Sequence, residues 1–168
     1  MAYLKRLESV EDFEEVNFMQ LLRQGSYVTR MSEREVADLL AQFAKRDEEN
    51  GVEGGDGELS QIFTGVLFTR LMELNGPDAM KMLMAGEMGP RWKNEEDELL
   101  AVGMASWVDA DPEGAIKWFR GEAMSDPKYR ELFEDDDVQR AFFAAMSRHD
   151  PGEAMSLAQE AGGELASD

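Results

Sequence analysis

An Asp-Pro pair stands between two apolar helical patterns in the stretch VDADPEGAIKWF, residues 108–119. Asp is a strong N-cap because its carboxylate accepts hydrogen bonds from free backbone N–H groups, and Pro suits the first helical position, where no N–H is needed. The pair therefore predicts that one helix ends and the next begins almost without a loop, which gives an αα-hairpin.

Two other proline junctions follow the same plan. Asp150-Pro151 comes after an apolar stripe, with Glu153 expected to complete a capping box, and Gly76-Pro77 comes after a helical stripe at 63–74. The three prolines are separated by 35 and 39 residues. Three helix–proline–helix units at this spacing predict a helical repeat array, and a chance succession of helical hairpins is the alternative.

Helical periodicity extends over the rest of the chain. A helix is predicted from 9 to 24, and Ser32 with Glu35 forms a capping box before a second helix. The acidic, glycine-rich segment 48–58 predicts a mobile loop, and no run alternates with the period of a strand. We therefore predict one all-α domain over 1–168 with seven or eight helices and no sheet. It comprises N-terminal helices in 1–47, the loop 48–58 and hairpin repeats in 59–168.

The charge of the chain limits its partners. Among 168 residues, 36 are acidic and 17 basic, which gives a formal net charge of −19. Such a surface repels nucleic acid and anionic membranes, so we expect neither as a partner. Cysteine is absent, which excludes disulfides and thiolate metal sites. Residues 1–16 lack a secretory pattern, and no apolar run is long enough to cross a bilayer. These features together favour a cytoplasmic location.

The stretch LLAVGMASWVDADPEGAIKWFRGEAMSDP, residues 99–127, resembles a tetratricopeptide repeat. The resemblance rests on one aromatic, one leucine and one small position in the first helix, on a small and an aromatic position in the second, and on a closing turn: Leu99, Val102, Gly103, Ala115, Phe119 and Asp126-Pro127. It implies a right-handed superhelix that serves as a protein- or peptide-binding scaffold without chemistry of its own.

The resemblance also implies a concave groove lined by the first helices of successive units. The residues that would face this groove are Asp97, Leu100, Met104, Trp107, Gln139, Phe143 and Met146. Aromatic and methionine anchors among acids would suit a basic, partly apolar segment of a partner protein. The alternative is that Trp107 and Phe143 are ordinary core residues.

Other candidate groups have simpler structural interpretations. His149, the only histidine, falls at a predicted helix C-terminus, where the helix dipole favours a cation. The acids at 134–137 lack the order of a calcium loop and suit a helix N-terminus. Met80, Met84 and Met88 share one helical face, either as core or as an adaptable binding surface.

No catalytic, cofactor or metal pattern is present, so we predict a non-enzymatic adaptor or regulatory module that binds another protein. An acidic inhibitor or nucleic-acid mimic that occupies a basic site is the first alternative, and a small enzyme is the second.

Overall fold

A computed structural model of the chain describes residues 27–50, 57–92 and 96–165. Within these ranges the chain is all-α, without a strand, as the sequence predicts. The seven helices of these ranges are α1 Glu33–Asn50, α2 Gly57–Met84, α3 Glu96–Ala110, α4 Pro112–Trp118, α5 Pro127–Leu132, α6 Asp136–His149 and α7 Pro151–Leu165. A 3₁₀ turn spans Pro90–Trp92, and a π-helical segment, Phe119–Ala123, continues α4.

Two sequence predictions fall wholly or partly outside these ranges. The helix predicted at 9–24 lies outside the described residues. Helix α1 continues to Asn50 and α2 begins at Gly57, so both helices extend over the ends of the predicted loop 48–58. Residues 51–56 of that loop are not among those described.

The Asp-Pro junctions have the local structure that the sequence predicts. At each one the Asp carboxylate caps a helix that begins at the following Pro. Asp111 Oδ1 accepts from the Gly114 backbone N–H at 3.0 Å. The equivalent bonds are Lys128 N–H to Asp126 Oδ1 at 2.9 Å and Glu153 N–H to Asp150 Oδ1 at 3.0 Å. Helix α4 therefore follows α3 directly, and α7 follows α6 directly.

Only one of the two predicted capping boxes is complete. The Ser32 backbone N–H donates to Glu35 Oε2 at 2.9 Å, and the Glu35 N–H donates to Ser32 Oγ at 3.4 Å. Glu153 does not return a bond to Asp150, because its carboxylate pairs with Arg120 at 2.7 Å instead. The Glu153 carboxylate, which the sequence pattern predicts to bond within its own helix start, therefore binds Arg120 from another helical segment.

Helix α2 is interrupted where the sequence contains Asn75-Gly76-Pro77. Asn75 leaves the helical region (φ −157°, ψ 79°), and its Oδ1 accepts from the Asp78 N–H at 3.3 Å. At Gly76 a Cβ atom would lie 2.1 Å from the indole of Trp107, so only glycine leaves room for that ring. The interruption lets α3 approach the backbone of α2.

Helix α3 lies in the middle of the described structure, packed on α2 on one side and on α6 on the other. Helix α1 packs on α2, and α7 packs on α6. A Cβ atom at Gly103 would lie 2.9 Å from Phe68 and 3.0 Å from Met72, so a small residue on α3 permits the close crossing with α2. The right-handed superhelix remains a prediction. None of the helices in the described ranges is both long and apolar enough to span a membrane.

The C-terminal part of the core is an aromatic cluster. Its members are linked by ring contacts with centroid separations between 5.2 and 6.2 Å, and we define it by Trp107, Trp118, Phe119, Tyr129, Phe133, Phe142 and Phe143. Tilted and edge-on ring pairs add to the free energy gained from burial. The cluster holds α3, α4, α5 and α6 together.

Candidate partner-binding clefts

The structure buries most of the residues that the repeat resemblance places in a groove. Leu100, Met104 and Met146 are fully buried, and Trp107 is 2% exposed. Trp107 packs on the Trp118 ring at 5.3 Å as well as on Gly76. The prediction of an exposed groove at these four positions is wrong, because their side chains face neighbouring helices of the same chain.

The other three predicted residues lie in different surroundings. Phe143 is partly buried against Phe119 and Phe142 in the aromatic cluster. The Gln139 side-chain amide donates to the Phe133 backbone carbonyl, a structural bond. Asp97 is exposed and lines a cleft, and it is the one residue of the seven that the structure places in a concave surface described below.

An apolar groove lies between α2 and the first half of α3. It has a volume of about 1110 Å³ including open solvent, and three aliphatic side chains stand exposed in it: Val102 (56%), Ile62 (51%) and Val66 (42%). Its other apolar walls are Val28, Trp92 and Leu99. Aliphatic side chains that are exposed to water in a concavity mark a candidate binding surface, because covering them lowers the free energy of the system.

The polar side chains of the apolar groove are already bonded within the protein. Thr69 Oγ1 donates to the Gly65 carbonyl at 2.9 Å. Arg70 Nη1 pairs with Glu73 at 2.8 Å, and the buried Nε of Arg70 lacks a hydrogen-bond partner. The groove therefore presents an apolar surface with a neutralised ion pair at its edge.

An acidic cleft of about 1780 Å³, including open solvent, adjoins the apolar groove. Its charged walls are four carboxylates and one ammonium group: Glu48, Asp97, Glu131, Asp135 and Lys128. The described residues thus give the cleft wall an excess of three negative charges. The carboxylates are not arranged for a metal, because no group of three or more His, Asp or Glu among the described residues could hold an ion. The cleft suits a Lys or Arg side chain.

Trp92 forms part of the wall of both cavities. Its indole N–H donates to the Thr64 hydroxyl at 3.1 Å, and its ring lies over Gly65. The turn before it requires Gly89, which adopts a positive φ of 88° and lies where a Cβ would come within 2.9 Å of the Ala44 backbone. The indole is therefore fixed at the boundary between the apolar groove and the acidic cleft.

The charged pairs on the opposite part of the molecule connect helices. Asp109 at the end of α3 accepts from Arg148 at 2.7 Å and lies 3.0 Å from His149 Nε2 at the end of α6. The guanidinium of Arg148 holds the pKa of Asp109 below its ordinary value, with a smaller contribution from His149. His149 thus lies at a helix C-terminus, as predicted. Asp109, Arg148 and His149 together link the ends of α3 and α6, and we call this group the clasp.

The methionines and the acids at 134–137 are accounted for locally. Met80 and Met88 are buried and Met84 is partly buried, and Met84 and Met88 also line the acidic cleft. Asp135 caps α6 by accepting from the N–H groups of Asp137 and Val138. The acidic run therefore begins a helix, as predicted from its position.

Sequence reasoning missed the residues that line the apolar groove. The apolar spacing at 63–74 predicts one helical stripe, which includes Val66, and Ile62 precedes it. A signal was present, however, because Ile62, Phe63, Val66 and Leu67 give this helix two adjacent apolar faces rather than one. A helix that is apolar on more than one face has more surface to bury than a single neighbour can cover.

Comparison of the chain with protein-family models, with curated proteins and with solved structures found no significant match. The tetratricopeptide resemblance accordingly stays a prediction from residues 99–127.

Proposed function

We propose that this chain is a non-enzymatic protein-interaction module, an adaptor or regulatory scaffold, that binds a basic, partly apolar segment of a partner protein. The observation that carries the proposal is the pairing of two adjoining cavities. Ile62, Val66 and Val102 are exposed together in the apolar groove, and Asp97 and Glu131 line the acidic cleft beyond Trp92. A segment with aliphatic and basic side chains matches both cavities.

The two cavities have different energetic roles in this proposal. The net charge of −19 attracts a basic partner over a distance and raises the association rate. The apolar groove contributes short-range contacts, which set the lifetime of the complex. The Arg70–Glu73 pair leaves the groove itself without net charge. Salt therefore slows association more than it speeds dissociation.

The acidic inhibitor or nucleic-acid mimic is the second candidate, favoured by the charge and by the acidic cleft. A mimic needs carboxylates in a regular exposed row that imitates phosphates. Several carboxylates of this chain instead cap helices or pair with cations, including Asp109, Asp111, Asp126, Asp135 and Asp150. This use of the acids supports the interaction module over the mimic.

The proposal includes a cytoplasmic location and no direct contact with nucleic acid. The absence of cysteine supports the first, and the acidic surface supports the second.

The experiment compares affinity capture from the source-cell lysate by three immobilised chains: wild type, Val102→Glu and Met155→Glu. Val102 lies in the apolar groove, whereas Met155 on α7 is 66% exposed and lies outside both cavities, so it is a matched control for charge and exposure. We expect a protein retained by wild type and Met155→Glu to be lost with Val102→Glu. Equal retention by all three chains would exclude the apolar groove as the binding site.

A second comparison tests the mimic. The double variant Asp97→Asn/Glu131→Gln removes two carboxylates from the acidic cleft, and Glu113→Gln/Glu134→Gln removes two exposed carboxylates elsewhere. If capture is insensitive to Val102→Glu but is abolished by either double variant, the mimic replaces the interaction module as the leading function.

A further inference from the structure

Most of the wall of the apolar groove belongs to the interiors of helices, where the backbone offers no hydrogen-bond partners to a ligand. The walls are formed mainly by the interior of α2 and by Leu99 and Val102 of α3. Backbone N–H and C=O groups inside an α-helix bond to each other four residues apart. A bound segment therefore cannot add to these walls in the way that a strand adds to the edge of a sheet.

The side chains at the groove add little hydrogen-bonding capacity. Thr69 is bonded to its own helix at 2.9 Å, and Arg70 and Glu73 are bonded to each other at 2.8 Å. Apart from the buried Nε of Arg70, these groups are satisfied, so an extended segment in the groove would lose backbone bonds to water without replacing most of them. Each backbone group left unsatisfied in this way opposes binding, whereas a helix satisfies its own backbone.

The spacing of the aliphatic residues that line the groove on α2 and α3, of which Leu99 is buried, matches a helix as well. Ile62 and Val66 lie one turn apart on α2, and Leu99 and Val102 lie one turn apart on α3. Two packed helices with such ridges leave a valley between them, into which the ridge of a third helix fits.

We infer that the apolar groove takes an amphipathic helix of the partner protein, with one aliphatic stripe in the groove and a Lys or Arg at its end in the acidic cleft. This inference rests on the proposed function and specifies the form of the bound segment. Charge complementarity favours this partner, because among the described residues of the cleft next to Trp92 four carboxylates, Glu48, Asp97, Glu131 and Asp135, outnumber one ammonium group, Lys128. The neutral Arg70–Glu73 edge places the basic residues at an end of the helix rather than along its length.

The probe is a fluorescent peptide of about sixteen residues, which spans about 24 Å as a helix. This peptide, called the stripe peptide, carries leucines at helical spacing and two lysines at each end. A control peptide of the same composition has its leucines at alternate positions, which breaks the helical stripe. Binding to the full chain is followed by fluorescence anisotropy, and the peptide's conformation by difference circular dichroism.

We expect the stripe peptide to bind and to gain helix, and the control peptide to bind at least about tenfold more weakly. Val102→Glu should lower the affinity for the stripe peptide by about tenfold or more. Met155→Glu should leave the Kd for that peptide within about twofold of wild type. Equal binding of the two peptides, binding without a gain of helix, or no binding of the stripe peptide would each overturn the inference.

The position of the basic end is tested by a double-mutant cycle. The protein variant Asp97→Asn/Glu131→Gln is combined with a peptide in which the lysines are replaced by glutamine. We expect the loss of affinity in the doubly changed complex to be smaller than the product of the two separate losses, because the same contacts are removed twice. Independent losses would overturn the placement of the basic end in the acidic cleft.

Other occupants of the groove give different results. If residues 9–24 of this chain fill it, neither peptide binds and Val102→Glu lowers the denaturation midpoint. If a second copy fills it, neither peptide binds and Val102→Glu converts a dimer to a monomer. Either result overturns the inference.

The proposed function can survive the failure of this inference. A lysate protein that is retained by wild type and lost with Val102→Glu, combined with no stripe-peptide binding, overturns the helical partner and leaves the interaction module standing. Absence of any groove-dependent lysate protein removes the interaction module itself.

Discussion

The aromatic cluster and the apolar groove are both built on α3, but they use its side chains in opposite ways. In the cluster, Trp107 and its neighbours touch one another at ring separations of 5.2 to 6.2 Å, and nearly all are buried. In the groove, Val102 on the same helix is 56% exposed, and Ile62 and Val66 face it from α2. The large rings hold the helices together, and the aliphatic residues are left uncovered.

The difference shows that side-chain type is a weak guide to location in a helical chain. Trp107 and Phe143 have aromatic side chains of the kind that often anchor interfaces. In this structure, however, Trp107 packs on Gly76 and Phe143 packs among other rings. Valine is not a side chain typical of interface anchors, yet Val102 lies in a concavity on the surface. Exposure depends on which helix faces each residue, and that is a property of the tertiary arrangement.

The largest expected effect is in the aromatic cluster. Phe142→Ala removes a ring that contacts Phe119, Phe133 and Phe143, and we expect a loss of about 4 kcal/mol in the free energy of unfolding. Ile62→Ala, at the exposed groove, should cost less than about 1 kcal/mol. Urea denaturation measures both, and equal losses would mean that the two regions do not differ in burial.

Gly76→Ala is expected to have the next largest effect. The added methyl group would collide with the Trp107 indole at 2.1 Å, and overpacking of this kind costs about 3 kcal/mol at its upper range. Gly121→Ala is the matched control, because a Cβ there meets no atom within 4 Å. A denaturation midpoint unchanged by Gly76→Ala would contradict the contact between Trp107 and the backbone of α2.

Val102→Glu should separate stability from binding. The side chain is exposed and glutamate forms helices well, so the free energy of unfolding should change by less than about 0.5 kcal/mol. The same change should reduce the affinity for the stripe peptide by about tenfold. A large loss of stability in the urea titration would indicate that Val102 is covered within the chain itself.

The smallest expected effect is at the clasp between α3 and α6. Asp109→Asn should lower the free energy of unfolding by less than about 1 kcal/mol near neutral pH, because the pair with Arg148 is half exposed and screened by solvent. The lowered pKa of Asp109 means that its stabilisation is present above the ordinary value of 3.8 and is lost as pH falls through the folded value. The difference from wild type should therefore vanish in acid, and a difference that persists there would exclude this origin.

The features that could be predicted from the sequence are local. The Asp111-Pro112 and Asp150-Pro151 junctions, the Ser32 cap and the break at Asn75 depend on residues within a few positions of each other, and each is confirmed. The helical class and the number of helices follow from these signals together with the apolar spacing.

The candidate site could not be predicted in the same way. Glu153 binds Arg120 rather than its own helix start, and Trp107 reaches Gly76 on another helix. These contacts join positions far apart in the chain, and a single sequence carries no distance information about them. The repeat resemblance includes Asp97, and this residue lines the acidic cleft because it lies exposed in the first turn of α3.

The position of Trp92 has a thermodynamic consequence. Because one indole, held in place by Thr64, forms a wall of both the apolar groove and the acidic cleft, any shift of that ring would change the shape of both cavities at once. Such coupling is reciprocal, so an aliphatic group and a basic group of one partner each change the free energy with which the other binds, by the same amount. Under the proposed function, the binding free energy of a segment that carries both groups would therefore differ from the sum of the binding free energies of the two groups measured separately.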